Sequence, residues 1–378
     1  MSLDEEVRDE LRRLEAAHRL RTPRVVDGKQ GPRIVLDGVE VTNFASNDYL
    51  SLAGDRRLQR AAAAALDEAG TGAGGSRLIV GNHRQHVALE RAIADWLRCT
   101  GVRLFNTGFA ANVGVITSLI GPGDVVFSDE LNHASIIDGC RLSKADVVVY
   151  PHLDLAALEG ALSTRTGRRR IVVSETLFSM DGDIVDVAAL ASIARTHDAA
   201  LILDEAHAIG AWGPEGRGLA AAAGVTPDVL VGTCGKALGS FGAFAATTAA
   251  IADLLWNRAR PLVFSTGLPP SIPASVLVAI EIVRGAEGDG RRRTLAALAR
   301  ELRADIPSVG GAAESAIAPL VIGDDRTVME MTARLLESRI YVQGIRPPTV
   351  PEGTARLRIS LASGHTNVEV ACLASLLG

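Results

Sequence analysis

The feature that most constrains this chain is a series of short apolar segments through its middle: Val102–Phe105, Val125–Ser128, Val147–Tyr150, Ile171–Ser174, Leu201–Asp204, Val229–Thr233 and Ala243–Thr247. Each is a near-continuous apolar run, not an alternating one, so each predicts a strand covered on both faces. Stretches with helical spacing lie between them, with helices predicted from Phe109, Ala134 and Asp154. Doubly covered strands separated by helices define an α/β fold with a mostly parallel central sheet.

The flanks read differently. Leu3, Val7, Leu11 and Leu14 are spaced for an amphipathic helix over residues 3–20, which Pro23 ends. Two β-prone runs around Asp37-Gly38 predict a hairpin. Beyond about residue 265, helical stretches at 271–287 and 290–304 precede strands near 317–322, 340–345 and 355–361 and a closing helix. The expected organisation is an N-terminal helix and hairpin (1–45), a large α/β domain (46–264) and a smaller α+β domain (265–378).

Composition removes several functions. A net charge of -5 with arginine and acid interspersed, and only 4% aromatics, argue against a nucleic-acid partner. No apolar run approaches the roughly 18 residues of a membrane span, and the start has no basic segment followed by an apolar core. Cys99, Cys140, Cys234 and Cys372 are scattered with no C-x-x-C pair, which fits a reducing compartment. The expectation is a cytoplasmic protein with no membrane partner.

Three motifs tempt and fail. Gly70-Thr-Gly72-Ala-Gly-Gly75 matches G-x-G-x-x-G, but an Ala-rich helical stretch precedes it where a dinucleotide fingerprint needs a strand. Gly235-Lys236 lacks the first glycine and the Ser/Thr of a P-loop, having Leu230 and Ala237 there. His83, His86 and Glu90 resemble a metal trio, yet no further ligand completes it; they read as the solvated start of a helix over 84–97, and no metal is expected.

Only three lysines stand among 36 arginines: Lys29, Lys144 and Lys236. Lys29 and Lys144 sit in polar turns. Lys236 follows an apolar strand in Thr233-Cys-Gly-Lys-Ala-Leu-Gly-Ser, among small and apolar neighbours. Such surroundings disfavour the ammonium form and suit an amine that bonds a carbonyl carbon. Asp204 ends the strand Leu201–Asp204, and His207 follows three residues on. Ligands of parallel sheets gather at such strand ends. Asn106-Thr-Gly108-Phe109 turns a strand into a helix, whose free amides make an anion cup. His133 begins another helix, able to stack on a flat ligand or to cap. An amine, an acid, a phosphate cup and a flat cover together are what pyridoxal 5′-phosphate requires.

On these residues the chain resembles the α-oxoamine synthases, pyridoxal-phosphate enzymes of fold type I. The likeness rests on Asp204-x-x-His207, Thr233-x-Gly-Lys236, Gly108-Phe-Ala-Ala-Asn112 and Phe178-Ser-Met-Asp-Gly-Asp183, and it spans nearly the whole chain. The resemblance implies that Lys236 bonds the cofactor and serves as general base and acid. It implies that Asp204 pairs with the ring nitrogen and that His133 stacks on the ring. Ser179 and His207 would hydrogen-bond the phenolic oxygen, and Gly108, Phe109 and Thr233 would hold the phosphate. It also implies a homodimer in which Thr266 reaches the partner subunit's phosphate. Arg358 would clamp the amino-acid carboxylate with Asn47 nearby, while Arg21 and Arg346 would meet the acyl substrate's end. Gly344-Ile-Arg-Pro-Pro-Thr-Val-Pro-Glu-Gly-Thr-Ala-Arg-Leu-Arg358 is most similar to the members that condense L-alanine with a pimeloyl thioester, on coenzyme A or an acyl carrier protein, in biotin synthesis. A sister synthase using glycine or serine, and an aminotransferase of the same fold, stay open. Phe264 stands where some relatives carry an aromatic hydroxyl.

Overall fold

The computed structural model describes residues 2–378. All seven expected strands form one sheet, in the order Gly101–Phe105, Ala243–Thr247, Val229–Thr233, Ala200–Asp204, Arg170–Glu175, Val125–Asp129, Asp146–Tyr150. Neighbours from Val229–Thr233 to Asp146–Tyr150 run parallel. Ala243–Thr247 pairs antiparallel with the strands on both its sides. Register places the Phe244 ring over Gly232, where a Cβ would lie 2.3 Å from a ring carbon, so that close approach requires the glycine. The five residues of Val125–Asp129, of Val229–Thr233 and of Ala243–Thr247 are all buried, as continuous apolar runs require. The expectation of cover on both faces is corrected for the edge strand Asp146–Tyr150, which is largely exposed because little packs over it at the margin of the sheet.

The helices begin where short polar side chains satisfy their first amides. The Thr107 hydroxyl accepts from the Ala110 amide at the head of Gly108–Leu119, and Asp154 does the same for Leu155–Thr164. The first helix is shorter than expected, Leu3–Ala16, because His18 takes a left-handed φ of 56°. None of its residues is buried, so its Leu3, Val7 and Leu11 face is exposed.

The chain forms two compact units: Leu52–Ser179 with Ile184–Arg292, and Met1–Ser51 with Met180–Asp183 and Arg293–Gly378. These boundaries differ from the sequence divisions for a packing reason. Ser271–Arg284, expected in the small domain, buries Val276, Ala279, Ile280 and Val283 and packs on Arg56–Ala69 and Arg84–Leu97 of the large unit. The smaller unit joins the two chain ends. Its hairpin, Arg33–Leu36 with Val39–Asn43, turns at Asp37 (φ 49°) and Gly38 (φ 80°), and Ile340–Tyr341 pairs beside it. The single strand expected at 340–345 is two: Gln343–Ile345 belongs to a separate sheet with Ile317–Gly323 and Ala355–Ser360. Among the described residues, no helix is long and apolar enough to cross a membrane.

In the large unit the fully buried carboxyl of Glu205 accepts the Leu219 amide at 3.0 Å and the Ala220 amide at 2.6 Å. Gly218, at φ +90°, lies against it, and a Cβ there would sit 1.5 Å from Glu205 Oε2. Gly218→Ala therefore breaks either the left-handed backbone or the carboxyl's seat. It is expected to cost about 2 kcal/mol or more, read as a lower denaturant midpoint of the variant.

Candidate active site

A cavity of about 200 Å³ opens in the large unit, lined by Gly108, Phe109, Asn112, His133, Ser135, Glu175, Asp204, Ala206, His207, Thr233 and Lys236. It lies at the carboxyl ends of Ala200–Asp204, Val229–Thr233 and Arg170–Glu175, where strand-to-helix turns leave room for a ligand. Seven of the sequence-predicted residues therefore meet here: Gly108, Phe109, His133, Asp204, His207, Thr233 and Lys236.

Lys236 occupies a tight turn after Val229–Thr233. Cys234 N donates to Gly242 O, Ser240 N to Cys234 O and Gly239 N to Lys236 O. Its Nζ lies 2.8 Å from Nε2 of the buried His207. Asp204 is buried, and both oxygens accept N–H bonds, from Asn112 Nδ2 at 2.6 Å and from the Ala206 amide at 2.8 Å. An N–H donor thus meets each oxygen of this buried side chain. Asn112 Nδ2 also reaches Ser135 Oγ at 2.9 Å.

His133 caps a helix at the edge of the cavity. Its Nδ1 accepts from the Ser135 amide and so caps Ala134–Ser143, and its ring borders the cavity. Burial lowers its pKa and Lys236 adds to that, with Asp204 opposing, so the imidazole is biased toward the neutral, stackable form. The Thr233 hydroxyl donates to Gly242 O and accepts from the Gly235 amide, which holds the lysine turn closed. At Gly108 the helix presents its first amides without intrahelical acceptors, and a Cβ built there meets nothing within 4 Å. That open cradle of amides suits a phosphate.

The other predicted residues lie elsewhere. Ser179 is buried but does not line this cavity. Thr266 bridges to Ser76, and its carbonyl accepts from Asn106 Nδ2 at 2.9 Å. In the smaller unit, buried Arg358 donates from Nη1 to Asn47 Oδ1 at 3.2 Å and to Ser360 Oγ at 2.6 Å. Arg21 and Arg346 border a separate cavity of about 410 Å³ in that unit, together with Arg24. Arg21 Nη2 donates to Thr349 Oγ1 at 2.9 Å, Arg346 to the His18 carbonyl, and burial lowers the Arg346 pKa. Phe264 is 71% exposed, with the Arg260 guanidinium over its ring.

The reading of His83, His86 and Glu90 as a solvated helix start is corrected. His86 is fully buried, with one ring nitrogen 2.8 Å from Leu268 O and the other accepting the His83 amide. Glu90 pairs with Arg77 at 2.6 Å. Sequence reasoning also missed Asn112, Ser135 and Glu175 as cavity residues. The one available signal was Asn112, a polar residue at the centre of an apolar helix.

The sequence pattern of the aminotransferase class I and II family matches residues 39–377, and the chain belongs to that family. A relative from Geobacter sulfurreducens, an 8-amino-7-oxononanoate synthase, is 46% identical over 94% of this chain and 93% of its own. Among solved structures, serine palmitoyltransferase from S. paucimobilis with a bound pyridoxal-phosphate–myriocin aldimine superposes with a TM-score of 0.93. It is 29% identical, covering 100% of this chain and 97% of that one. The 8-amino-7-oxononanoate synthase of Francisella tularensis gives a TM-score of 0.77 at 27% identity, over 89% of this chain and 96% of its own. Pyridoxal phosphate fits the residues present: an amine beside an imidazole, a buried carboxylate, an amide cradle and a neutral ring share one cavity.

Glu205, next to Asp204, has its pKa pushed up to about 8, first by burial, with the Ala220 and Leu219 amides opposing. The folded chain then keeps a proton that the unfolded chain releases above the usual carboxyl range. That stabilisation is complete below about pH 4.5 and is lost as pH rises through about 8. Wild type is expected to lose stability relative to Glu205→Gln by up to about 1.4 kcal/mol per pH unit in that window, measured by denaturant unfolding from pH 5 to 8.

Proposed function

We propose that this chain catalyses the pyridoxal-phosphate-dependent condensation of L-alanine with a pimeloyl thioester, yielding 8-amino-7-oxononanoate, carbon dioxide and the free thiol carrier, in biotin biosynthesis. The observation that carries the reading is near-full-length identity of 43–46% to synthases of that name, joined to a cavity that holds the Lys236 amine against His207. The cofactor, when bound, draws electrons from the amino acid's α-carbon so that its proton can leave.

The chain's own residues do the rest. Lys236 Nζ would hold the cofactor at rest and would take and return the α-proton. His207 Nε2, at hydrogen-bond distance, holds that amine in place. Asp204, held by Asn112 and Ala206, would pair with the ring nitrogen. His133 would cover the ring, His207 would serve the phenolic oxygen together with Ser179, which lies outside the cavity lining, and Gly108, Phe109 and Thr233 would hold the phosphate. Arg358 with Asn47 receives the alanine carboxylate, for which a guanidinium fork is matched. Arg21 and Arg346 would take the far carboxylate of the pimeloyl chain, which the arginine lining of their cavity supports. The carrier is coenzyme A or an acyl carrier protein. The alanine α-carbon would bond the thioester carbonyl carbon as the C–S bond breaks and the thiol leaves, after which the carboxyl would leave as carbon dioxide and a proton would take its place.

We read the working form as a homodimer in the cytoplasm, with Thr266 of the partner subunit at the phosphate. Exposed Ile79, Val80 and Phe264 in the large unit support an apolar face for a second copy.

The assay is turnover of L-alanine with pimeloyl-CoA against glycine with acetyl-CoA; preference for the second pair overturns the substrate assignment. Lys236→Ala is expected to lower turnover by about a thousandfold or more, and retained activity would refute the role of that amine. Arg358→Ala is expected to raise the KM for alanine by about 30-fold with a smaller change in kcat, read from initial rates over a range of alanine.

A further inference from the structure

Two carboxyl groups end neighbouring strands of the large sheet. Glu175 and Asp204 are register partners across Arg170–Glu175 and Ala200–Asp204, and both line the Lys236 cavity. They are 2% and 6% exposed, yet their partners differ. Asp204 has an N–H donor on each oxygen. Glu175 receives the main-chain amide of His133, and its Oε1 has no hydrogen-bond partner. Two carboxylates side by side in a buried site do not both ionise. Each Asp204 oxygen already accepts an N–H whereas Glu175 Oε1 does not, so the shared proton has its place on Glu175, which then has an O–H to give.

Glu175 is also stitched to the turn that carries His133. Its own amide donates to Asn132 Oδ1 at 3.0 Å, and Asn132 Nδ2 donates to Val173 O at 2.9 Å. The strand end and the Asn132-His133 turn thus move as one piece, and the Glu175 side chain is the link that reaches the His133 amide.

We propose that Glu175 is a positioning residue of this site: a neutral carboxylic acid that fixes His133 through its main-chain amide and presents its own O–H to the bound cofactor, leaving the negative charge on Asp204. The proposal rests on the cofactor reading above. The groups facing Glu175 are Asp204, Lys236, Asp129 and the His133 turn. Burial and then Asp204 push its pKa well up, against Lys236 and the His133 amide. A buried carboxyl kept neutral so that it can donate is a known catalytic device.

The test compares holoenzymes of wild type, Glu175→Gln and Glu175→Ala by two readouts that need no acyl substrate. One is the pH midpoint of the bound cofactor's visible absorbance; the other is cofactor dissociation on dilution. Glutamine supplies both an acceptor for the His133 amide and an N–H donor. It is expected to hold the midpoint within about 0.3 pH unit and to keep cofactor retention. Alanine admits water beside Asp204 and removes the carboxyl's hold on the His133 amide. It is expected to lower the midpoint by about one unit and weaken retention about tenfold. A glutamine variant displaced by a unit or more would show that the charged carboxylate is required, and would overturn the proposal. An alanine variant unchanged in both readouts would overturn it as well. If the alanine variant does not fold, the glutamine arm decides alone. A wild type that binds cofactor yet fails to join alanine to pimeloyl-CoA would defeat the substrate reading and leave this comparison intact.

Discussion

A buried carboxylate at the end of a strand is the constraint on which this site depends. Asp204 is 6% exposed, and a charge so placed has to be met by fixed donors. One comes from its own turn, at Ala206. The other, Asn112, comes from the helix that begins at Gly108. That same asparagine reaches Ser135, the second residue of the helix that His133 caps. Satisfying one acceptor therefore draws three strand-to-helix connections around a single cavity. Those connections bring the amide cradle and the imidazole with them.

The amine is fixed by a different device. Three backbone bonds and the Thr233 hydroxyl close the turn around Lys236. Gly239, at φ +61°, lets that turn lie against Leu52 and Ala53, where a Cβ would come within 2.7 Å of both. Little freedom is left to the chain carrying Lys236, so binding energy is not spent on ordering it. The pairing of Nζ with His207 joins this turn to the one that follows Asp204. A carboxylate and an amine on adjacent strands are thereby presented to one ligand.

Much of this was legible in the chain itself. Continuous apolar runs announce strands, and all seven form within a residue or two of their expected bounds, although the edge strand Asp146–Tyr150 is largely exposed. The lysine was legible because only one of three follows an apolar strand in a small-residue turn. Asn112, Ser135 and Glu175 were not, because their partners are far away in sequence; Asn112 and Asp204 are 92 residues apart. A glutamate at a strand end looks the same in sequence whether it faces water or a register partner's carboxylate. His86 misled for the same reason: its burial comes from the Leu268 carbonyl, 182 residues on.

The sequence alone determined the class of fold, the order of strands and helices along the chain, and which lysine ends up in the cavity. Each of these depends on local period and local neighbours. The tertiary structure alone decided that Asp204 has an N–H donor on each oxygen while Glu175 Oε1 has none, that His133 caps its helix at the cavity's edge, and that Ser271–Arg284 packs with the large unit. These depend on desolvation and on distances between residues remote in sequence. Three-dimensional packing sets both, and no local pattern encodes them.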